Sequence, residues 1–331
     1  MKYNKTFERQ EIVEFNGKQM LSTLDHPKKI KLNFSGHETF PLRYTWLKKA
    51  VESVAKNPYI LSDESAILEL GVGKNMVTSI KHWGLATGVI EKENLPYGAK
   101  QSFKVTDFGN DLLLDSGWDP YLEDGASLWL LHWNICNNIT KSATWYYAFN
   151  KLMHIEFTKE QLTNDLIQYA SNMESKQSDS VIKRDVDCFV RTYISSKDLK
   201  KGPVEDSLDC PLVELSLLEE LGQRGLYVFS RGYQKELPQE VFVYALINYW
   251  NKLHESNKTL SFENIAYGEF SPGLIFKIDE DSLCYRLEGL EKLTKGALRF
   301  DETSSVRQVY RIKNVEPKCF LERYFKKDKK I

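Results

Sequence analysis

The sequence predicts a mainly α-helical fold with small β-hairpins, in which winged helix-turn-helix modules flank a central helical bundle. Three patterns predict it. Two short amphipathic segments joined by Gly71-Val72-Gly73 lead into a hairpin pattern within 62–115. Helical periodicity then runs through 127–193, and a second order of helix, turn, helix and hairpin occupies 261–312.

The elements follow from spacing and punctuation. Leu42, Trp46, Leu47, Ala50, Val51 and Val54 recur every three or four residues, which predicts a helix over 42–56 ended by Asn57-Pro58. Ser62 or Asp63 is a suitable N-cap for a short helix with Ala66, Ile67 and Leu70 inward. Gly71 and Gly73 tolerate left-handed backbone in a tight turn. A second helix is expected from Lys74 to Trp83, with Met76, Val77, Ile80 and Trp83 inward and Gly84 ending it. Strands are expected at 89–91 and 102–106 around Asn94–Gly98, then a helix over 107–115 capped by Thr106.

Helices are expected around 128–133 and from 143, after Thr158, and from Ser180 to Val190, with 171–178 as a loop and 195–207 as a linker. Beyond Pro211, a strand is expected at 225–230 and helices at 238–253, 261–265 and 280–293. Strands at 297–301 and 306–312 close the chain around a turn at 302–305, and Lys326–Lys330 reads as a solvated tail. The expected units are an N-terminal arm (1–31), a winged-helix domain (32–125), a helical bundle (126–200) and a mixed C-terminal region (208–325) ending in a winged-helix-like module. No internal sequence repeat or low-complexity tract interrupts them.

Composition bounds the function. A chain of 331 residues corresponds to two or three domains, and 42% hydrophobic residues suffice for a substantial core. A net charge of −1 excludes a uniformly basic surface but leaves room for local basic patches. The five cysteines form no C-x-x-C pair, so reduced thiols are expected, with neither a disulfide framework nor a zinc finger. No stretch has the apolar length of a membrane span, and Met1–Gly17 lacks the apolar run of a signal peptide. The expectation is a cytoplasmic protein with no cofactor.

The helix from Lys74 carries the strongest binding signal. Lys74, Asn75, Thr78, Ser79, Lys81 and His82 are residue types that contact phosphates or base edges from the major groove of double-stranded DNA. Arg43, Lys48 and Lys49 on the preceding helix and Lys100 and Lys104 on the hairpin extend the candidate face. The same residues also suit a solvated face on a module that docks only protein. In the C-terminal module, Asp279, Glu280, Glu288 and Glu291 would repel phosphate and are assigned to partner binding.

No catalytic or metal-ligating residue is assigned. His37 and Glu38 lack the second histidine of a helical zinc motif, and Asp185 and Asp187 stand two apart, off a common helix face. Gly71-x-Gly73-Lys74 has neither the spacing nor the preceding strand of a P-loop.

Seven stretches carry a family resemblance: FSGHETFPLRYTWLKKA (34–50), LGVGKNMVTSIKHW (70–83), LWLLHW (128–133), TWYYAFN (144–150), RDVDCFVRTY (184–193), LDCPLVELSLL (208–218) and SPGLIFKIDE (271–280). The chain resembles a bacterial family of unknown function, the DUF4007-like family. Members similar to it are often encoded in phage-defence islands, beside sulfur-transfer enzymes resembling those of DNA phosphorothioation. The resemblance implies a non-catalytic DNA-binding component of such a modification or defence complex, with that complex's other subunits as partners. Two alternatives remain open: an adaptor that docks a partner ATPase or sulfur-transfer enzyme without touching DNA, and a metal-dependent nuclease. The resemblance carries over no catalytic residue.

Overall fold

The computed structural model describes residues 31–96, 98–195, 210–222, 225–303 and 306–328. Nearly all of the expected arm, the 196–209 part of the linker and the end of the basic tail lie outside these residues. The fold is mainly helical with three small antiparallel sheets.

The N-terminal unit begins with α1 (Tyr44–Lys56), whose apolar stripe from Trp46 to Val54 is buried. A 3-10 turn (Ile60–Ser62) leads to α2 (Ala66–Leu70). Gly71 ends α2 at φ 63°, a left-handed conformation that costs glycine least. Next come α3 (Lys74–Ala86), β1 (Ile90–Lys92) and β2 (Phe103–Val105). Then α4 (Asp107–Leu113) starts with the Thr106 side chain accepting the Gly109 amide hydrogen, the predicted cap.

Gly84 does not end α3, contrary to expectation. It lies within the last turn of the helix, buried against Ile90 and Ala50, where its missing side chain admits β1. Close packing, not backbone freedom, explains the glycine.

The central part contains α5 (Gly125–Cys136), α6 (Ala143–Asn150), β3 (Glu156–Thr158), α7 (Lys159–Asn172) and α8 (Asp179–Tyr193). After a 3-10 turn (Pro211–Leu215) come β4 (Leu218–Glu220) and β5 (Leu226–Phe229). β5 pairs with both β3 and β4, so this sheet spans the expected boundary between bundle and C-terminal region.

The remaining elements are α9 (Gln239–Leu253), β6 (Thr259–Ser261), α10 (Phe262–Tyr267), α11 (Pro272–Ile275) and α12 (Glu280–Glu288). They are followed by α13 (Leu290–Leu293), β7 (Leu298–Glu302), β8 (Arg307–Arg311) and α14 (Lys318–Asp328).

One order of elements recurs. In α6-β3-α7-α8-β4-β5 and in α9-β6-α10-α12-β7-β8, a helix and a strand precede two main helices and a hairpin. The strand order is the same in both sheets, first-third-second: β3-β5-β4 and β6-β8-β7. In both, the last residue of the first strand caps the next helix, Thr158 through a capping box and Ser261 through the Asn264 amide. The N-terminal unit follows the same order without its first strand. There the Phe103 amide donates to the Pro58 carbonyl at 2.8 Å, standing where that strand would pair.

A continuous core joins these units, with Trp83, Trp129, Trp145 and Trp250 fully buried. Trp83 of α3 meets Trp145 of α6 edge-on at 5.4 Å. His132 of α5 reaches the Ile275 carbonyl of α11 at 2.9 Å. Lys326 and its neighbours belong to α14 rather than starting a tail. That helix packs back on the N-terminal unit, with Phe325 stacked on Trp118 at 5.1 Å and Lys318 paired with Asp111 at 2.5 Å.

Candidate nucleic-acid interface

Helix α3 is positioned by its buried face, Val77, Ile80, Trp83 and Ala86, against α1 and the first hairpin. The opposite side leaves Lys74 and Asn75 exposed and Thr78 and Lys81 half-buried. Lys74, Thr78 and Lys81 follow helical spacing on one face.

Ser79 and His82 point the other way. Ser79 is buried and donates to the His37 carbonyl at 2.7 Å, while His82 is buried beside His37 and Trp83. Both are residue types that bind phosphate, but the helix phase turns their side chains into the core. Burial and the nearby His37 and Lys141 push the His82 pKa well below the ordinary histidine value.

The outlying lysines already have partners. Lys48 lies 2.9 Å from Glu52 and 2.7 Å from Asp115. Lys49 donates to the Leu70 carbonyl at 2.7 Å, holding the end of α2. Lys100 pairs with Asp63, and Lys104 lies 3.0 Å from Glu91. Arg43 stacks over Trp46, its guanidinium 5.3 Å from the ring centre. Lys48–Glu52 has the i,i+4 spacing that a sequence shows, whereas Lys48–Asp115, Lys49–Leu70, Lys100–Asp63 and Lys104–Glu91 join separate segments and are not visible in it.

Beside α3 lies a second cluster, around the 35–40 loop. Its His37 is fully buried and Glu38 exposed, so the two do not act as a pair. His37 Nε2 instead meets Asp185 Oδ1 of α8 at 2.6 Å. Asp185 also accepts the Ser35 amide at 2.6 Å and the Thr144 hydroxyl at 2.5 Å. The Thr39 amide nitrogen lies 3.1 Å from His37 Nδ1, and Nε2 carries the proton that faces Asp185. Burial opposes a charge on His37, but Cys188 and Asp185 outweigh it and raise its pKa to about 10. Ser35, Glu38 and Thr39 all have positive φ, a strained path that these contacts hold in place. Asp187 faces away, 2.8 Å from Lys159.

In the C-terminal unit, Asp279 caps α12 by accepting the Ser282 amide, and Glu280 lies 3.6 Å from Arg307. Glu288 and Glu291 are exposed. The described residues contain no group of three or more His, Cys, Asp or Glu side chains arranged to hold a metal ion, and no helix long and apolar enough to cross a membrane.

The DUF4007 family, described as proteins of unknown function, matches residues 34–325, and the chain belongs to it. Two solved structures are similar along nearly the whole length. One, described as an SspB crystal structure, is 28% identical with a TM-score of 0.81, covering 90% of each chain. The other, a magnesium ion-bound SspB crystal structure, is 28% identical with a TM-score of 0.80, covering 89% of this chain and 88% of that one. A search of curated proteins finds no match.

Proposed function

We propose that this protein is a DNA-binding component of a bacterial DNA-modification complex of the phosphorothioation type, or of a related phage-defence complex. The observation that carries the reading is the outer face of α3 beside a β-hairpin, where Lys74 and Asn75 are exposed and Thr78 and Lys81 half-buried, while Lys48, Lys100 and Lys104 are paired with acids. The recurring element order supports reading the units as winged helices, in which the second main helix enters the major groove. The likeness to SspB and the family resemblance support the modification setting. The exposed Glu288 and Glu291 suit docking of another subunit, because their charge disfavours phosphate.

The test is a mobility shift of duplex DNA by wild type and by the Lys74→Glu/Lys81→Glu protein across salt. Wild type shifts the duplex and the variant does not; equal shifts by both would remove this face from the reading.

A second reading is a metal-dependent nuclease, favoured by the magnesium ion in one similar structure. Supercoiled plasmid incubated with the protein in Mg²⁺ and in EDTA distinguishes it, since only an enzyme converts the plasmid to nicked or linear product in a metal-dependent way.

A further inference from the structure

Several segments of the chain line an open cavity of about 370 Å³ next to α3. Lys81 and Thr78 enter from α3, Lys92 from β1, Lys141 from the turn between α5 and α6, and Ser62 from the end of the first 3-10 turn. His82 also lines it, and its Nε2 is a buried atom without a hydrogen-bond partner among the described residues. No Asp or Glu among the described residues lines the cavity.

Three lysines gathered with no carboxylate among the described lining residues repel one another. Burial and Lys92 lower the pKa of Lys81, and burial, Lys92 and Lys31 lower that of Lys141. Lys48, Lys100 and Lys104 of the N-terminal unit are each paired with an acid, and this grouping differs from them. An anion entering the cavity would relieve the repulsion.

We propose that this cavity is a phosphate-binding site for a single nucleotide unit, with Lys81, Lys92 and Lys141 as cationic ligands and Thr78 and Ser62 supplying hydrogen bonds. Its volume lies near the lower end of small-ligand pockets, about 300–1,000 Å³, so it admits one nucleotide and not a duplex. Three ammonium groups more than offset the charge of a phosphate monoester, about −2 at most, which lysine binds as a compact point charge. Lys81 and Thr78 continue the α3 face, so for a strand as the source of the phosphate the inference rests on the DNA-binding reading. The other source is a free nucleotide.

The experiment titrates the full-length protein with deoxyadenosine 5′-monophosphate and with deoxyadenosine by calorimetry at low salt. The nucleotide binds at least tenfold more tightly than the nucleoside. Lys92→Gln/Lys141→Gln loses at least tenfold of that affinity, and Lys92→Arg retains it, with circular dichroism confirming that each variant folds. Competition then identifies the source. Displacement of the nucleotide by a 5′-phosphorylated oligonucleotide, but not by its 5′-hydroxyl form, assigns a strand end; displacement by neither assigns the free nucleotide. Absence of nucleotide binding, equal binding of the nucleoside, or an unaffected double variant overturns the inference. Duplex shifts run on the same preparations separate it from the proposed function. A duplex shift without nucleotide binding defeats only the pocket, and nucleotide binding without a duplex shift defeats only the duplex reading.

Discussion

His37 Nε2 lies 2.6 Å from Asp185 Oδ1, joining the loop before α1 to the middle of α8 across 148 residues. Both side chains are almost fully buried, and the same carboxylate also holds the Ser35 amide and the Thr144 hydroxyl. Asp185 is therefore one point at which the N-terminal unit is locked to the central one, beside the Trp83–Trp145 contact.

Removing one member of a buried charged pair leaves the other without compensation and costs about 3–5 kcal/mol. Asp185→Ala is expected to destabilise the protein by that order in urea denaturation. A loss below about 1 kcal/mol, the scale of an exposed pair, would show that the lock is not structural.

His132 is buried with Nε2 donating to the Ile275 carbonyl and Nδ1 accepting from the Tyr193 hydroxyl. Burial is the main cause that lowers its pKa to about 3, opposed by the Ile275 carbonyl and aided by Lys277. The unfolded chain therefore binds the proton near pH 6.5 while the folded chain refuses it. Its contribution is intact above pH 6.5 and is lost as pH falls from 6.5 towards 3, at about 1.4 kcal/mol per pH unit. Denaturation of wild type and His132→Phe across this range should show a steeper acid loss for wild type; parallel curves would contradict the assignment.

Phosphate contacts set the salt dependence of DNA binding. Lys74→Ala should reduce the slope of log affinity against log salt by about 1, measured by fluorescence anisotropy on duplex DNA. Lys104→Ala should leave it nearly unchanged, because Lys104 already faces Glu91 at 3.0 Å. Equal effects at both positions would place the DNA elsewhere.

Glycine in a helix normally gains from replacement by alanine, but Gly109 of α4 does not have room for it. A Cβ there would lie 2.1 Å from the Val89 carbonyl oxygen. Gly109→Ala is expected to lower the melting temperature by several degrees through backbone displacement. Gly73→Ala meets nothing within 4 Å and should melt close to wild type.

The helices were legible because their signals are local. Thr106 and Thr158 cap helices where their positions predict, and the apolar stripe from Trp46 to Val54 is buried as its spacing requires. Of the central sheet only β5 was legible, as the strand expected at 225–230. β3 and β4 are three residues each, too short for alternation to register, and their common partner β5 lies beyond the 196–209 segment. The repeated strand order therefore leaves no trace in residue identity.

The candidate site divides in the same way. The sequence by itself determined the mainly helical class, the caps, the Gly71 turn and the choice of α3 as the candidate binding helix, because periodicity and turn chemistry act over a few residues. Only the tertiary structure decided which charges on that helix stay available. It buried Ser79 and His82, neutralised Lys48, Lys100 and Lys104, and set Lys81 beside Lys92 and Lys141. Charge in a protein is fixed by neighbours in space, and the neighbours that matter here come from other elements of the chain.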